Sequence, residues 1–236
     1  VLRHFSLRAF APVTVSAIVG YIIAGPMLDQ QPLLAMSAST VGHITDYVLF
    51  IALGLASAVL AVVFMRLMLW TEHRSFDLPV PSILKPALAG VPVGLCLIWL
   101  PEVTGIGIST MHSTLEGNVF GMGDLVIILI AKLVLTAVCV GFGLASGVFT
   151  PALVIGLLFG ALVGEGLAMV LESGHSGLGI FAVCGAVAVA SPVIGAPLSA
   201  ILIVFELTRN YELTTAAMLS VVFANLVSYR IFGRSW

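Results

Sequence analysis

The segment from Gly141 to Pro151 holds the residues with the clearest chemical use in this sequence. It is rich in glycine, ends in Thr150-Pro151, and is followed by an uncharged run to Gly164. Proline suits the first position of a helix, where its missing N–H would have no partner, and threonine before it is a good cap. This pattern predicts a helix that begins at Pro151 with Thr150 as its cap.

Gly147 would allow the N-terminus of this helix to bind an anion. Because glycine permits a tight turn, the backbone N–H groups of Val148 and Phe149 are left unpaired beside the positive end of the helix dipole. Deep in a bilayer such donors need a partner, and a partly dehydrated anion is an effective one. Dipoles, unlike a fixed full charge, also allow the anion to leave. The alternative is that glycine and proline only form a tight connection between helices.

Two ionisable residues in apolar surroundings are further candidates for a pathway or an interface. Lys132 is the one charge inside the run Asp124 to Val140. It would attract anions, or else reach an aqueous vestibule or pair with an acid. Glu206 ends a long uncharged stretch, and an ionisable group at membrane depth is a functional candidate. We favour a structural role for Glu206, either protonated or paired with Arg3, Arg209 or a basic residue of another subunit.

The composition requires a membrane environment for these residues. The chain has 236 residues, of which 60% are hydrophobic and 8% charged, whereas soluble domains are roughly a quarter charged. We therefore expect an integral, multi-pass protein of the plasma or inner membrane. A net charge of -2 argues against nucleic acid as a partner. The three cysteines and five histidines show no metal-ligand spacing, so we expect no metal and no cofactor.

Uncharged runs predict an all-α membrane protein, since a spanning helix needs about 20 apolar residues. Glycine and proline interrupt the two longest runs, the first between Gly141 and Pro151, the second at Ser191-Pro192 and at Gly195 to Pro197. Such breaks predict helices that start or stop inside the membrane, as in transport sites. The predicted runs are Ala9–Leu28, Tyr47–Met65 with an extension from His43 to Glu72, Pro86–Leu100, Asp124–Val140, Leu133–Gly164, Ser173–Phe205 and Leu213–Tyr229.

The basic residues predict an orientation. Arg66, His73, Arg74 and Lys85 flank or lie in one loop, whereas the loop from Gly25 to Asp46 has no Lys or Arg. Because cytoplasmic loops carry more Lys and Arg, we expect Thr71 to Leu84 inside and Gly25 to Asp46 outside.

Several segments resemble the CLC family of chloride channels and chloride/proton antiporters. Gly147-Val-Phe-Thr-Pro151 resembles the family's GxFxP anion-binding motif. Gly105-Ile-Gly107 and Lys132 resemble its glycine turn and the basic residue ahead of that motif. The segment from Gly195 to Thr208 is similar to the family's R-x-P-L-T-x-x-x-x-x-x-E-x-T. The resemblance covers essentially the whole chain and implies an all-α membrane fold of tilted and broken helices. Residues 1–236 would be a single transmembrane region, the C-terminal half of the inverted-repeat CLC domain.

The resemblance implies transport of chloride or a similar small anion, as a channel or as a chloride/proton antiporter, and therefore no enzyme. In the family, the N–H groups at the positions of Val148 and Phe149 face the central chloride. The implied partners are chloride, the lipid bilayer, the N-terminal half of the same protein and a second copy in a homodimer. The implied anion site comprises Gly147, Val148, Phe149, Thr150 and Pro151.

Three departures from the family pattern qualify this assignment. Gly195 stands where the family has arginine, Ser199 where it has threonine, and Ser146 where many members have glycine. The Ser146 hydroxyl could join the pathway, but we favour a bond back to its own turn.

Two other functions are alternatives to transport. Leu144-Ala-Ser-Gly147 resembles the GxSG motif of rhomboid intramembrane serine proteases, and His175 follows it, but leucine replaces the first glycine. A membrane scaffold without transport is the third possibility.

Overall fold

The computed structural model describes residues 7–28, 46–81, 83–103, 110, 113–114, 121–144, 147–170, 177–208 and 210–233. Within these ranges all regular structure is helical, which confirms the predicted all-α class. By its contacts the chain divides into two units, Val1–Ala35 and Met36–Trp236. The described helices are α1 (Leu7–Leu28), α2 (Asp46–Asp77), α3 (Lys85–Trp99), α4 (Met122–Gly141), α5 (Phe149–Val170), α6 (Leu178–Ile194), α7 (Pro197–Thr208) and α8 (Tyr211–Phe232), with a 3-10 turn at Pro101–Val103.

The described helices of the second unit fall into two classes by length. The helices α2, α4, α5 and α8 are long and apolar enough to cross a membrane, whereas α3, α6 and α7 are apolar but shorter. With 32 residues, α2 is about 48 Å long and exceeds the ~30 Å hydrocarbon core, so it must tilt or project beyond it. The predicted extension of this span past Met65 is confirmed.

The centre of the second unit is α6. Every residue from Ile180 to Val193 is buried, and the helix packs against α2, α5, α7 and α8. A helix that is apolar on all sides is stable only when it is surrounded. Here the surroundings are protein.

Small residues allow α5 and α6 to pack backbone against backbone. A Cβ atom added to Gly185 of α6 would lie 2.5 Å from the carbonyl oxygen of Gly156 and 2.7 Å from Cα of Gly160. Further along, Gly160 faces the Phe181 carbonyl. In the direction in which residue numbers increase along α5, they decrease along α6. The two helices are therefore antiparallel. Small residues at such contacts are typical of membrane bundles.

Three helices run parallel through the same core. The Phe50 ring of α2 lies 5.0 Å from the Phe181 ring of α6. The Phe50 carbonyl also accepts a hydrogen bond of 2.9 Å from the Ser220 hydroxyl of α8. About two turns later on α2 and α6, and one turn later on α8, the three helices meet again in a cluster of Ala58, Ala188 and Ala224.

Both long uncharged runs are broken, as predicted, but one predicted break is absent. Gly195 ends α6 in a left-handed conformation with φ 74°, and α7 begins at Pro197. The break predicted at Ser191-Pro192 is wrong, because α6 continues through Pro192 to Ile194. A proline in a membrane helix is tolerated where neighbouring helices compensate. Here Asn225 of α8 donates a hydrogen bond of 2.7 Å to the Ser191 hydroxyl.

Candidate functional site

The start of α5 differs from the prediction. The helix begins at Phe149, and the Ala152 N–H donates to the Val148 carbonyl over 3.1 Å. Val148 is therefore the N-cap and Pro151 the third helical residue, so the predicted cap at Thr150 was wrong. None of the first three N–H groups of a helix has an acceptor within the helix. Proline is therefore tolerated at the third position as well as at the first.

This earlier start adds a donor to the predicted pair. The i to i−4 pattern supplies no acceptor for the N–H groups of Val148, Phe149 and Thr150. They lie at the positive end of a helix of 22 residues. Gly147 is exposed, and the residues from Val148 to Pro151 are half-buried. Ser146 lies outside the described residues.

The helix register places this turn deep in the bundle. The contacts between α5 and α6 show which residues of these antiparallel helices lie at the same level, and those between α6 and α2 show the same for that parallel pair. Both pairings can be continued to the start of α5. Phe149 then lies level with Pro192 of α6 and with Val62 of α2. Val62 is at the midpoint of α2, which runs from Asp46 to Asp77. A half-helix that starts level with the middle of a longer helix, rather than with its end, is the usual architecture of a transport site.

The end of α4 packs against α2. A Cβ atom added to Gly141, the last residue of α4, would lie 2.7 Å from the Glu72 nitrogen of α2. The neighbouring Thr71 hydroxyl donates to the Ala137 carbonyl of α4 over 2.7 Å. The level of Thr71 lies about 14 Å along α2 from the level of Val62. The end of α4 and the start of α5 therefore lie at different levels along α2, near Thr71 and near Val62 respectively.

Lys132 is buried and donates a hydrogen bond to the backbone. Its side chain is 4% exposed, and its ammonium donates a hydrogen bond of 2.7 Å to the Val103 carbonyl. The Thr110 hydroxyl donates to the preceding carbonyl, that of Glu102, over 2.8 Å. These two side chains thus hold the 3-10 turn that precedes Gly105. Sequence analysis missed Thr110, because a threonine at this spacing carries no signal of its partner.

Glu206 lies at one end of the bundle. It is exposed and sits in the last turn of α7, just before Asn210 caps α8 by accepting hydrogen bonds from the Glu212 and Leu213 N–H groups. Because α8 runs parallel to α2, this end is the one at which α2 begins. Glu206 is therefore near a membrane boundary rather than at mid-depth. Its predicted partners, Arg3 and Arg209, lie outside the described residues.

Comparison with known proteins assigns the family. The sequence profile described as "voltage gated chloride channel" matches residues 1–229. The chain belongs to the CLC family. It is a multi-pass, integral membrane segment of that family.

Curated CLC relatives match the chain over nearly all of its length. The chain is 28% identical over 235 residues to the H(+)/Cl(-) exchange transporter ClcA of Vibrio campbellii, covering 98% of this chain and 50% of that relative. It is 26% identical over 223 residues to the chloride channel protein CLC-f of Arabidopsis thaliana, covering 88% of this chain and 28% of that relative. The chain thus spans about half the length of ClcA.

Solved structures share the fold. A slow cyanobacterial Cl-/H+ antiporter superposes with a TM-score of 0.84 at 21% identity, over 92% of this chain and 51% of that one. A eukaryotic CLC transporter superposes with a TM-score of 0.75 at 25% identity, over 99% and 39%. The helices described above therefore form one half of the CLC architecture, as predicted.

Proposed function

We propose that the complete protein containing this chain transports chloride or a similar small anion, as a channel or a chloride/proton antiporter. The observation that carries this proposal is the start of α5. There, the N–H groups of Val148, Phe149 and Thr150 have no acceptor within the helix. They lie near the level of the midpoint of α2 rather than at either of its ends. The ClcA relative is named as an H(+)/Cl(-) exchange transporter, which supports the same substrate.

In this proposal Gly147 to Pro151 form the anion site without a charged ligand. Gly147 allows close approach to the backbone, the three N–H groups bind the anion, and Pro151 adds no competing donor. In this proposal Lys132 is not a ligand of the anion. Its buried ammonium positions the turn at Val103 and adds positive potential to the same half of the protein. The protease and scaffold alternatives gain no support from the comparisons.

The test removes one backbone donor while keeping the fold. Phe149→Pro deletes the N–H at the first helical position, where proline is well tolerated. Phe149→Ala is the matched control, since it also removes the ring but keeps the N–H. A hydrogen bond to a charged partner contributes about 1.5–3 kcal/mol, so Phe149→Pro should weaken chloride binding about 10- to 100-fold relative to Phe149→Ala. Isothermal titration and chloride efflux from liposomes measure this.

If the two variants bind and transport chloride equally, the proposal that backbone N–H groups bind the anion is rejected. If the unmodified protein releases chloride no faster than empty vesicles do, transport itself is rejected. Proton flux measured in the same vesicles separates an antiporter from a channel.

We also propose that the protein is a homodimer. One face of α7 exposes Leu198, Leu202 and Glu206 at helical spacing, and α8 exposes Val222 and Leu226. An apolar face with one carboxylate fits a second copy that supplies a basic partner to Glu206. The detergent-solubilised protein should therefore have the mass of two copies by mass photometry, and a monomeric mass would contradict this.

A further inference from the structure

The exposed face of α2 changes character along its length. At 100° per residue, one narrow stripe of this helix is exposed from end to end. Its first part, from Val48 to Val63, is apolar and about 22 Å long. Its second part, beginning at Arg66, is basic and aromatic. In order, the exposed residues of the stripe are Val48, Ala52, Leu55, Ala56, Val59, Val63, Arg66, Trp70, His73, Arg74 and Asp77.

This change matches the polarity of one lipid leaflet and its head groups. An apolar surface of ~22 Å covers most of the hydrocarbon core, and Trp70, 57% exposed, is of the type that lies at the membrane interface. Arg66 lies one turn beyond Val63. Its long side chain can extend toward the head groups while its methylene groups stay against apolar surface.

Aromatic rings hold two of the cations in this region. The Arg74 guanidinium carbon lies 5.5 Å from the centre of the Trp70 ring. The Lys85 ammonium lies 5.4 Å from the centre of the Phe76 ring, which joins the start of α3 to the end of α2. An aromatic face orients a cation without neutralising it. The positive charges thus remain available to an anion.

The local charge balance is positive. Arg66 and Arg74 lie on the stripe and Lys85 follows the loop, whereas Asp77 is the carboxylate on the stripe, at its outermost position. Glu72 projects from another side of the helix, about a third of a turn away from Arg66. The arginines therefore lie between the apolar surface and the nearest carboxylate of the stripe, where a lipid phosphate would be.

We infer that Arg66 and Arg74, with the Trp70 ring, bind the phosphate of an anionic phospholipid. The apolar part of the same stripe accommodates its acyl chain. Guanidinium groups bind phosphate oxygens in pairs, which favours arginine over other cations here. The orientation predicted from the basic residues assigns this lipid to the cytoplasmic leaflet.

The test compares lipid binding by the complete protein and two variants. Native mass spectrometry in detergent measures binding of phosphatidylglycerol and phosphatidylcholine. The unmodified protein should bind phosphatidylglycerol more tightly. The double variant Arg66→Gln/Arg74→Gln should lose about fivefold in that affinity for each charge removed, with phosphatidylcholine unchanged. Arg230→Gln, which removes an exposed arginine from α8, is the control and should leave the preference intact.

Three results would overturn the inference. The first is equal binding of both lipids by the unmodified protein. The second is loss of thermal stability in lipid-free detergent by the double variant with its lipid preference unchanged, which would mean that the N-terminal half of the protein covers this face. The third is displacement of the lipid by soluble glycerol phosphate, which would indicate a site for free phosphate. Chloride efflux is a separate readout and should persist in the double variant.

Discussion

Two short helices of similar composition, α3 and α6, have opposite environments. They have 15 and 17 residues, no charge after Lys85, and each contains an internal proline, Pro92 or Pro192. Yet α6 is buried from Ile180 to Val193, whereas Ala89 is the buried residue of α3. Leu95 and Trp99 of α3 are 60% and 84% exposed. Apolar composition therefore selects a helix for the membrane, but does not decide whether it faces lipid or protein.

The helices α3 and α6 differ in exposure because their neighbouring helices differ. Gly156 and Gly160 of α5 face Gly185 of α6 with backbone in contact, so α6 gains close packing that lipid cannot supply. On α3, a Cβ atom added to Gly90 or Gly94 would meet nothing within 4 Å. The same residue type thus marks a helix contact in one helix and an open surface in the other.

The largest effect is expected from a methyl group added at the α5–α6 contact. In Gly160→Ala the new Cβ would meet the backbone of Phe181 and Ala182, which cannot yield without separating the helices. We expect a loss of about 3 kcal/mol or more in stability, read as a large drop in thermal unfolding temperature. Gly94→Ala on α3 is the control and should be neutral or slightly stabilising. If Gly160→Ala and Gly94→Ala change the unfolding temperature equally, the proposed difference between the helices is refuted.

An intermediate effect is expected where α3 is connected to the bundle. The turn after α3 is held by the Lys132 ammonium at the Val103 carbonyl. Lys132→Met keeps a side chain of similar length but leaves that buried carbonyl without this donor, at a cost of about 1–3 kcal/mol. Thermal unfolding should show this loss, and chloride titration should show weaker binding if the turn also positions the pathway. Unchanged unfolding would mean that water or another group replaces the ammonium.

The smallest effect is expected from matched truncations in the two helices. Val187 of α6 is 1% exposed and Val91 of α3 is 60% exposed. Val187→Ala opens a cavity that protein cannot fill, so we expect a loss of about 1.5 kcal/mol. Val91→Ala removes a group that lipid replaces, and the loss should stay within about 0.5 kcal/mol. A loss at Val91 as large as that at Val187 would indicate that α3 is covered by protein.

Local features of the sequence predicted much of the fold. The breaks near Gly141 and at Gly195 to Pro197 are where the helices end, because glycine and proline act on their own and adjacent residues. The turn that we propose as an anion site was also recognised from local sequence, since its donors belong to consecutive residues. The error at Pro192 also has a local origin, because the prediction did not include the neighbouring helix that supports it.

The sequence alone determined that the chain enters a membrane, that its two longest uncharged runs are broken, and which turn begins a helix with N–H groups that lack an acceptor within it. These properties depend on residues close together in the chain. Only the tertiary structure decided that α6 is surrounded by protein, that Lys132 binds the Val103 carbonyl, and that the start of α5 lies near the level of the middle of α2. Each of these depends on packing between distant segments, and the energy of such contacts is set by the partner surface as much as by the residue itself.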